Sequence, residues 1–204
     1  MIAVVAGGAG VSAHRTDEYL QAARIAIDPG RVQIELDLTA GIALADAILA
    51  DIDRNRDGSL SAEEQQAYGS LVLSALTLEV DGTPARAQLG ETSFPDAGAM
   101  KRGEGTIRLH LAAALPRQSG GVHQLFFRNR HHPDRSVYLA NALVPETPRV
   151  SVTAQRRDTD QTELTIDYLV RGAPARPPTI WLLGGLAAAT ALSALLMRPL
   201  RSIR

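Results

Sequence analysis

Cysteine is absent from this 204-residue chain, lysine occurs once, at Lys101, and aromatic residues make up only 4% of it. Without thiols the protein has no disulfide scaffold, no thiolate zinc site and no cysteine nucleophile. Its 21 basic and 22 acidic side chains nearly balance, whereas nucleic-acid-binding domains are strongly basic. We therefore expect no nucleic-acid partner. The length fits one medium-sized domain with short attachments.

Motifs of common catalytic sites are also missing. The sequence has no nucleophile elbow, no paired-histidine zinc motif on a helix and no glycine-rich loop that would cradle a phosphate. We predict that the protein is not an enzyme. The alternative is an envelope hydrolase whose serine, histidine and aspartate are brought together only by the fold.

The N-terminal segment predicts export. Residues 1–13 are uncharged and small or apolar, with Val11 and Ala13 where signal peptidase requires small residues. The basic start of a usual secretory signal is missing. We predict a signal peptide that is cleaved before His14, and the alternative is an ordinary N-terminal segment.

A second uncharged apolar run, at 179–197, predicts a membrane anchor. As a helix it would be about 28 Å long, close to the roughly 30 Å of a bilayer's hydrocarbon core. The basic tail at 198–204 carries three arginines, and such charge is retained in the cytoplasm. We predict a single transmembrane helix, preceded by a proline-rich linker at 172–178 and an exported domain at 14–171. The alternative is a buried apolar helix of a soluble protein.

Alternating apolar residues predict strands through most of the exported domain. Val32, Ile34, Leu36 and Leu38 alternate with polar residues, and Asp28-Pro29-Gly30 separates them from a preceding strand at 23–27. Similar runs occur at 76–80, 107–111, 125–127, 137–139, 150–152 and 164–170. We predict a mainly β fold, an antiparallel, immunoglobulin-like β-sandwich.

Residues 40–75 interrupt this pattern with two helical stripes. The first consists of Ile42, Ala45, Ile48, Leu49 and Ile52, and the second of Ala67, Tyr68, Leu71, Val72 and Ala75. Thr39 is the predicted N-cap of the first helix. The sequence therefore predicts a helix-loop-helix inserted into the sandwich.

Between the helices, residues 53–64 match the twelve-residue calcium loop of the EF-hand at each diagnostic position. Ca²⁺ binds six to eight oxygens, which a loop supplies by wrapping around the ion. Gly58 stands where the loop turns sharply, and the chain would bind the ion through a backbone carbonyl at Ser59. The predicted ligands are Asp53, Asn55, Asp57, Ser59, Ser61 and Glu64.

We expect weak calcium binding, with a dissociation constant on the order of 10⁻⁴ M, as in extracellular modules. Arg54 and Arg56 lie close enough to the ion to weaken its binding. We expect a single site that stabilises structure rather than a sensor. In the alternative interpretation, Ser61 and Glu64 form only a helix-capping box and the acidic side chains are solvated.

A second, weaker candidate metal site is the adjacent pair His131 and His132, since imidazoles bind nickel, cobalt, copper and zinc. Three arginines nearby oppose a divalent cation, so the alternative is a polar loop.

Several further segments follow a recognisable order. They are HRTDEYLQA at 14–22, the alternating strand, LTLEVDGTP at 76–84, SFP at 93–95 and GTIRLHL at 105–111. Over roughly residues 14–145 this order resembles the periplasmic ectodomain of bacterial nickel/cobalt exporter-like membrane proteins, including hydrogenase/urease accessory permease relatives. The family's ectodomain precedes several membrane helices, whereas one apolar run is visible here, so no transport residue is carried over.

The resemblance implies a bacterial cell-envelope setting and a membrane transporter as partner. Together with the single apolar run and the basic tail, it predicts a single-pass protein of the bacterial inner membrane with a periplasmic domain and a cytoplasmic C-terminus. We therefore predict a membrane-anchored, calcium-binding module with a binding or accessory role. The alternative function is an accessory component or remnant of a nickel/cobalt export system.

Overall fold

Residues 17–172 are described by a computed structural model. The strands are β1 (Tyr19–Asp28), β2 (Arg31–Ala40), β3 (Leu76–Val80), β4 (Thr83–Pro84), β5 (Ala87–Ser93), β6 (Ile107–Ala114), β7 (Gly121–Asn129), β8 (Ser136–Ala142), β9 (Val150–Arg157) and β10 (Glu163–Val170). The helices are α1 (Ile42–Ile52), α2 (Ala62–Ser74) and α3 (Ala97–Lys101).

The predicted signal peptide, transmembrane helix and basic tail lie outside the described residues, as does all of the predicted linker except Gly172. Among the helices that the structure does describe, none has both the length and the apolar character needed to cross a membrane.

The domain is mainly β, with two five-stranded sheets. One has the strand order β5-β6-β2-β1-β8 and the other β4-β3-β7-β10-β9. Their inward-facing side chains belong to one buried cluster. Its most deeply buried large members include Tyr19, Ile25, Leu36, Leu38, Leu109, Phe127, Leu164, Ile166 and Tyr168.

The predicted β1–β2 hairpin is confirmed. The two strands pair antiparallel from Tyr19 opposite Ala40 to Asp28 opposite Arg31. Gly30 closes the turn with φ +106°, a backbone angle that residues with a Cβ rarely adopt. The seven alternating runs all form strands. The buried side is not the predicted one at 137–139, where Tyr138 is buried and the apolar Leu139 is 39% exposed.

The expectation of a wholly antiparallel sandwich is wrong at one place. β8 pairs parallel with β1, with Tyr19 opposite Ser136. β7 and β8 lie in different sheets, so the segment between them is a crossover rather than a tight hairpin. That crossover delivers β8 to the end of the sandwich where β1 also starts.

The helical insertion has the predicted helices but not the predicted cap. α1 begins after Gly41, which makes no side-chain capping bond. Thr39 instead lies in β2, where its hydroxyl is 2.8 Å from that of Thr106. The strand ladder therefore continues past the position that local sequence favours as an N-cap.

The sandwich has two distinct ends. At the helical end, β1 starts, β2 runs into α1, and α2 leads into β3. At the opposite end, which we call the exit end, lie the turn at 28–31, the loops at 115–120 and 143–149, and residues 171–172. Backbone hydrogen bonds join these segments, from Leu115 N to Gly30 O at 2.8 Å and from Arg171 N to Arg149 O at 2.7 Å.

Candidate metal centre

The loop between α1 and α2 is held from both sides. α1 buries Ala45, Ile48, Leu49 and Ile52, and α2 buries Tyr68, Gly69 and Val72. Most of these side chains belong to the sandwich core. The loop at 53–61 therefore connects two helices whose positions are fixed by packing.

The first half of the loop curls around its own side-chain oxygens. Arg56 has φ 60° and Gly58 has φ 82°, so the backbone turns twice in the left-handed region. Gly58 N–H donates to Asp53 Oδ2 at 2.9 Å. Asp57 N–H donates to Asn55 Oδ1 at 2.9 Å and also contacts Asp53 Oδ1 at 3.2 Å. The side chains at loop positions one and three thus point into the curve.

Asp57, at loop position five, continues this arrangement. Its Oδ1 accepts from Ser59 N–H at 2.8 Å, and its Oδ2 accepts from Asn55 Nδ2 at 2.9 Å. The carboxylates of Asp53 and Asp57 and the amide of Asn55 therefore share one small network. Each predicted ligand in this half of the loop already faces the same interior.

Glu64, at loop position twelve, reaches back across the loop. Its Oε2 accepts from Ser61 N–H at 3.0 Å, and Ser61 Oγ accepts in turn from Glu64 N–H at 3.3 Å. Its Oε1 accepts from the backbone N–H groups of Arg54 and Asn55, at 3.0 and 3.3 Å. The backbone and side chain of Ser61 are the main causes of a lowered pKa at Glu64, because they stabilise its charged form.

The capping box that the alternative interpretation requires is therefore formed. It starts α2 at Ala62 with Ser61 as N-cap. Nowhere in residues 17–172 do three or more histidine or acidic side chains lie together so as to hold a metal ion. The loop has side-chain oxygens at the positions where an EF-hand binds calcium. The carboxylate of Glu64, however, accepts hydrogen bonds from backbone N–H groups.

His131 and His132 lie in the crossover between β7 and β8, with their ring centres 4.1 Å apart. His131 is buried, 4% exposed, and its Nε2 is 3.1 Å from the Tyr68 hydroxyl. His132 Nε2 is 3.2 Å from Asp51 Oδ2. His132 Nε2 is buried and makes no hydrogen bond to any described residue, so a metal ion at these nitrogens would have to displace only the Tyr68 hydroxyl from His131.

The sequence did not reveal that this histidine pair contacts both helices of the insertion. Asp51 is in the last turn of α1 and Tyr68 is in the middle of α2. Tyr68 Oη is also 2.8 Å from Tyr19 Oη, at the start of β1. The sequence signal for this contact is Tyr68, on the apolar stripe of α2. A tyrosine buried there needs a hydrogen-bond partner for its hydroxyl.

A surface groove of about 290 Å³ on the β1–β2–β6 face brings His110 together with acidic side chains. Its walls include Arg24, Glu35, His110 and Glu146, and no serine or threonine. Arg24 Nη2 lies 2.8 Å from Glu35 Oε1 and 2.9 Å from Asp37 Oδ2. The Arg24 hydrogen bond lowers the pKa of Glu35, so this cluster is an ion-pair ladder on a sheet face.

Replacing Gly58 with alanine is expected to destabilise the protein and weaken calcium binding. Its φ of +82° disfavours a Cβ, although no heavy atom lies within 4 Å of where that Cβ would be. The cost is therefore backbone strain of about 1–2 kcal/mol, measurable by urea unfolding. Gly82→Ala is the matched control, since Gly82 has φ +74° in a β-turn with equally open surroundings. Equal calcium affinities for the two variants would contradict a role of the loop conformation.

In comparisons with known proteins, no protein-family model matches the chain, and no curated protein matches it significantly.

Proposed function

We propose that the protein is a calcium-binding β-sandwich module whose ion is held by residues 53–64. The observation that supports this most is the convergence of side-chain oxygens within the loop. The side-chain oxygens of Asp53, Asn55 and Asp57 all accept hydrogen bonds of 2.8–3.2 Å from the backbone N–H groups of residues 57–59. Glu64 closes the far side through the N–H of Asn55. A capping box alone gives no reason for the first three residues to converge.

Ca²⁺ would act here as a hard cation that replaces N–H donors as the partner of these oxygens. The backbone carbonyl of Ser59 and the Ser61 hydroxyl, directly or through water, would complete a set of six or more oxygens. Glu64 must turn away from Ser61 to offer both carboxylate oxygens. Breaking this cap opposes binding by about 1 kcal/mol, which fits a dissociation constant on the order of 10⁻⁴ M.

The site is better suited to stabilising the domain than to sensing calcium. Sensor EF-hands open a groove between their helices. Here Ile48 and Ile52 of α1 and Val72 of α2 are at most 1% exposed and belong to the sandwich core. Opening this pair would bring core side chains into water. We propose that Ca²⁺ fixes the loop that joins the two helices.

The setting of the module follows from the sequence. We propose an immunoglobulin-like sandwich in the bacterial periplasm, anchored in the inner membrane by one helix at 179–197 with its basic tail in the cytoplasm. An accessory role beside a membrane transporter accords with the resemblance in segment order. No catalytic step is part of this proposal.

Calorimetric titration of the full chain with Ca²⁺, and with Mg²⁺ as comparison, tests the metal site. We expect one site for Ca²⁺ and no heat from Mg²⁺ at the same concentration, because the smaller ion demands a near-octahedral set of ligands. At a free Ca²⁺ concentration 100 times the dissociation constant, the protein should gain about 2.7 kcal/mol of stability. No heat together with an unchanged unfolding curve at millimolar Ca²⁺ would refute the site.

A further inference from the structure

The exit end of the sandwich carries an unusual combination of side chains. Val144, in the loop after β8, is 90% exposed, and the neighbouring Leu143 is 41% exposed. Val122, the second residue of β7, is 72% exposed. These values make Val144 and Val122 the two most exposed large apolar side chains in the described part of the chain. Single exposed apolar residues are common on protein surfaces, so their meaning here depends on the charge around them and on the chain that follows.

The loop that presents Val144 is held in place. Leu143 N–H donates to Ile25 O at 2.8 Å, and Val150 N–H donates to Thr147 O at 3.2 Å. The Arg171 guanidinium also donates to the carbonyl of Pro148. Because hydrogen bonds hold the loop at both of its ends, the loop backbone keeps Val144 at the surface.

Charge distinguishes this end from the other. Exposed arginines stand in each segment of the exit end, at Arg31, Arg117, Arg149 and Arg171. The same segments contain two carboxylates, Asp28 and Glu146. Asp28 Oδ2 pairs with Arg31 Nε at 3.5 Å. The helical insertion at 40–75 has the opposite balance, with six acidic side chains and two arginines. An anionic surface would attract the exit end and repel the helical end.

The chain itself limits what this end can meet. Only residues 173–178 separate it from the apolar run that starts at 179. Fully extended, six residues span at most about 21 Å. If that run crosses a bilayer, as the proposed function holds, the exit end stays within this distance of lipid headgroups.

We propose that the exit end is a membrane-docking surface that rests on an anionic bilayer, with Val144 reaching into the interface and the arginines contacting lipid phosphates. This inference rests on the anchor of the proposed function. It orients the sandwich with the calcium loop away from the lipid, open to the surrounding solution.

Single-cysteine labelling of the full chain in nanodiscs tests this orientation, because the chain has no cysteine of its own. Ser119→Cys places a fluorophore in the exposed loop beside Arg117, and Thr159→Cys places it in an exposed turn at the opposite end. In discs that contain phosphatidylglycerol, a lipid-borne quencher at headgroup depth should quench the label at position 119 several-fold more strongly than the label at position 159.

Two variants separate the apolar and charged contributions. In the Ser119→Cys background, Arg117→Gln with Arg149→Gln should lower the docking equilibrium constant about 25-fold, since each arginine near an anionic surface contributes about fivefold. Salt at 1 M, where the Debye length is about 3 Å, should have a similar effect. Val144→Asp should abolish the quenching at position 119 without changing the unfolding curve, because the Val144 side chain is 90% exposed.

Several outcomes would overturn the proposal. Equal quenching of the labels at positions 119 and 159 refutes docking and leaves the anchor intact. So does quenching at position 119 that is as strong in purely zwitterionic discs as in discs with phosphatidylglycerol. A full chain that fails to enter nanodiscs refutes the anchor and the docking together. Protection of position 119 that rises with protein concentration at fixed lipid identifies a protein partner instead. Calcium titration is independent of all these results.

Discussion

Replacing Glu64 with glutamine is expected to abolish calcium binding while leaving the fold and the start of α2 intact. Glutamine retains a side-chain oxygen that can accept from Ser61 N–H, so the capping box survives. It loses the charge and the two equivalent oxygens that Ca²⁺ requires at loop position twelve. We expect affinity to fall about 100-fold or more, out of the range of calorimetric titration, and the unfolding midpoint to become independent of millimolar Ca²⁺.

Two controls make this result specific. Glu63→Gln removes the same charge from the first turn of α2, one residue away, and should leave calcium binding nearly unchanged. Ser61→Ala removes the side-chain half of the capping box and should cost about 1 kcal/mol of stability without Ca²⁺. If Glu64→Gln destabilised the metal-free protein as much as Ser61→Ala and still bound Ca²⁺, Glu64 would be a cap and nothing more.

The strands could be predicted because each is specified locally. In β10, alternate residues from Leu164 to Val170 are buried, and the sequence shows this period directly. The elements that were missed lack it. β5 contains Gly90 and an irregular register between Leu89 and Thr92, and α3 is only five residues long. β5 is placed by its pairing with β6, and α3 by its packing against α1, and the local sequence of neither element specifies these contacts.

The candidate site divides in the same way. The register of oxygens from Asp53 to Glu64 is a local property of twelve residues, so the sequence was sufficient to propose it. Whether Glu64 bonds to Ser61 or to a calcium ion depends on its side-chain conformation. The spacing of residues alone is compatible with either partner. The burial of His131 could not be predicted from the sequence. Its partner, the Tyr68 hydroxyl, belongs to a residue 63 positions earlier and reaches it only when the helices pack on the sandwich.

His131 should make the protein sensitive to acid. Burial first, and the neighbouring His132 second, lower the pKa of His131 from 6.5 to about 3. The unfolded chain binds a proton near pH 6.5, whereas the folded chain excludes it until about pH 3. The stability from this group is therefore complete above pH 6.5 and is lost progressively as the pH falls towards 3. At pH 4.5 the loss amounts to about 2–3 kcal/mol.

Urea unfolding at pH 7 and pH 4.5 measures this loss when wild type is compared with His131→Gln. Glutamine is neutral at both pH values and can still bond the Tyr68 hydroxyl, so the variant should lose about 2–3 kcal/mol less on acidification. His110→Gln is the control for losing a histidine from an exposed position, on β6. Carboxylates that do not contact His131 contribute alike to wild type and His131→Gln and cancel in that difference. Parallel pH profiles for wild type and His131→Gln would mean that the folded protein accepts a proton at His131, which the burial of that ring should prevent.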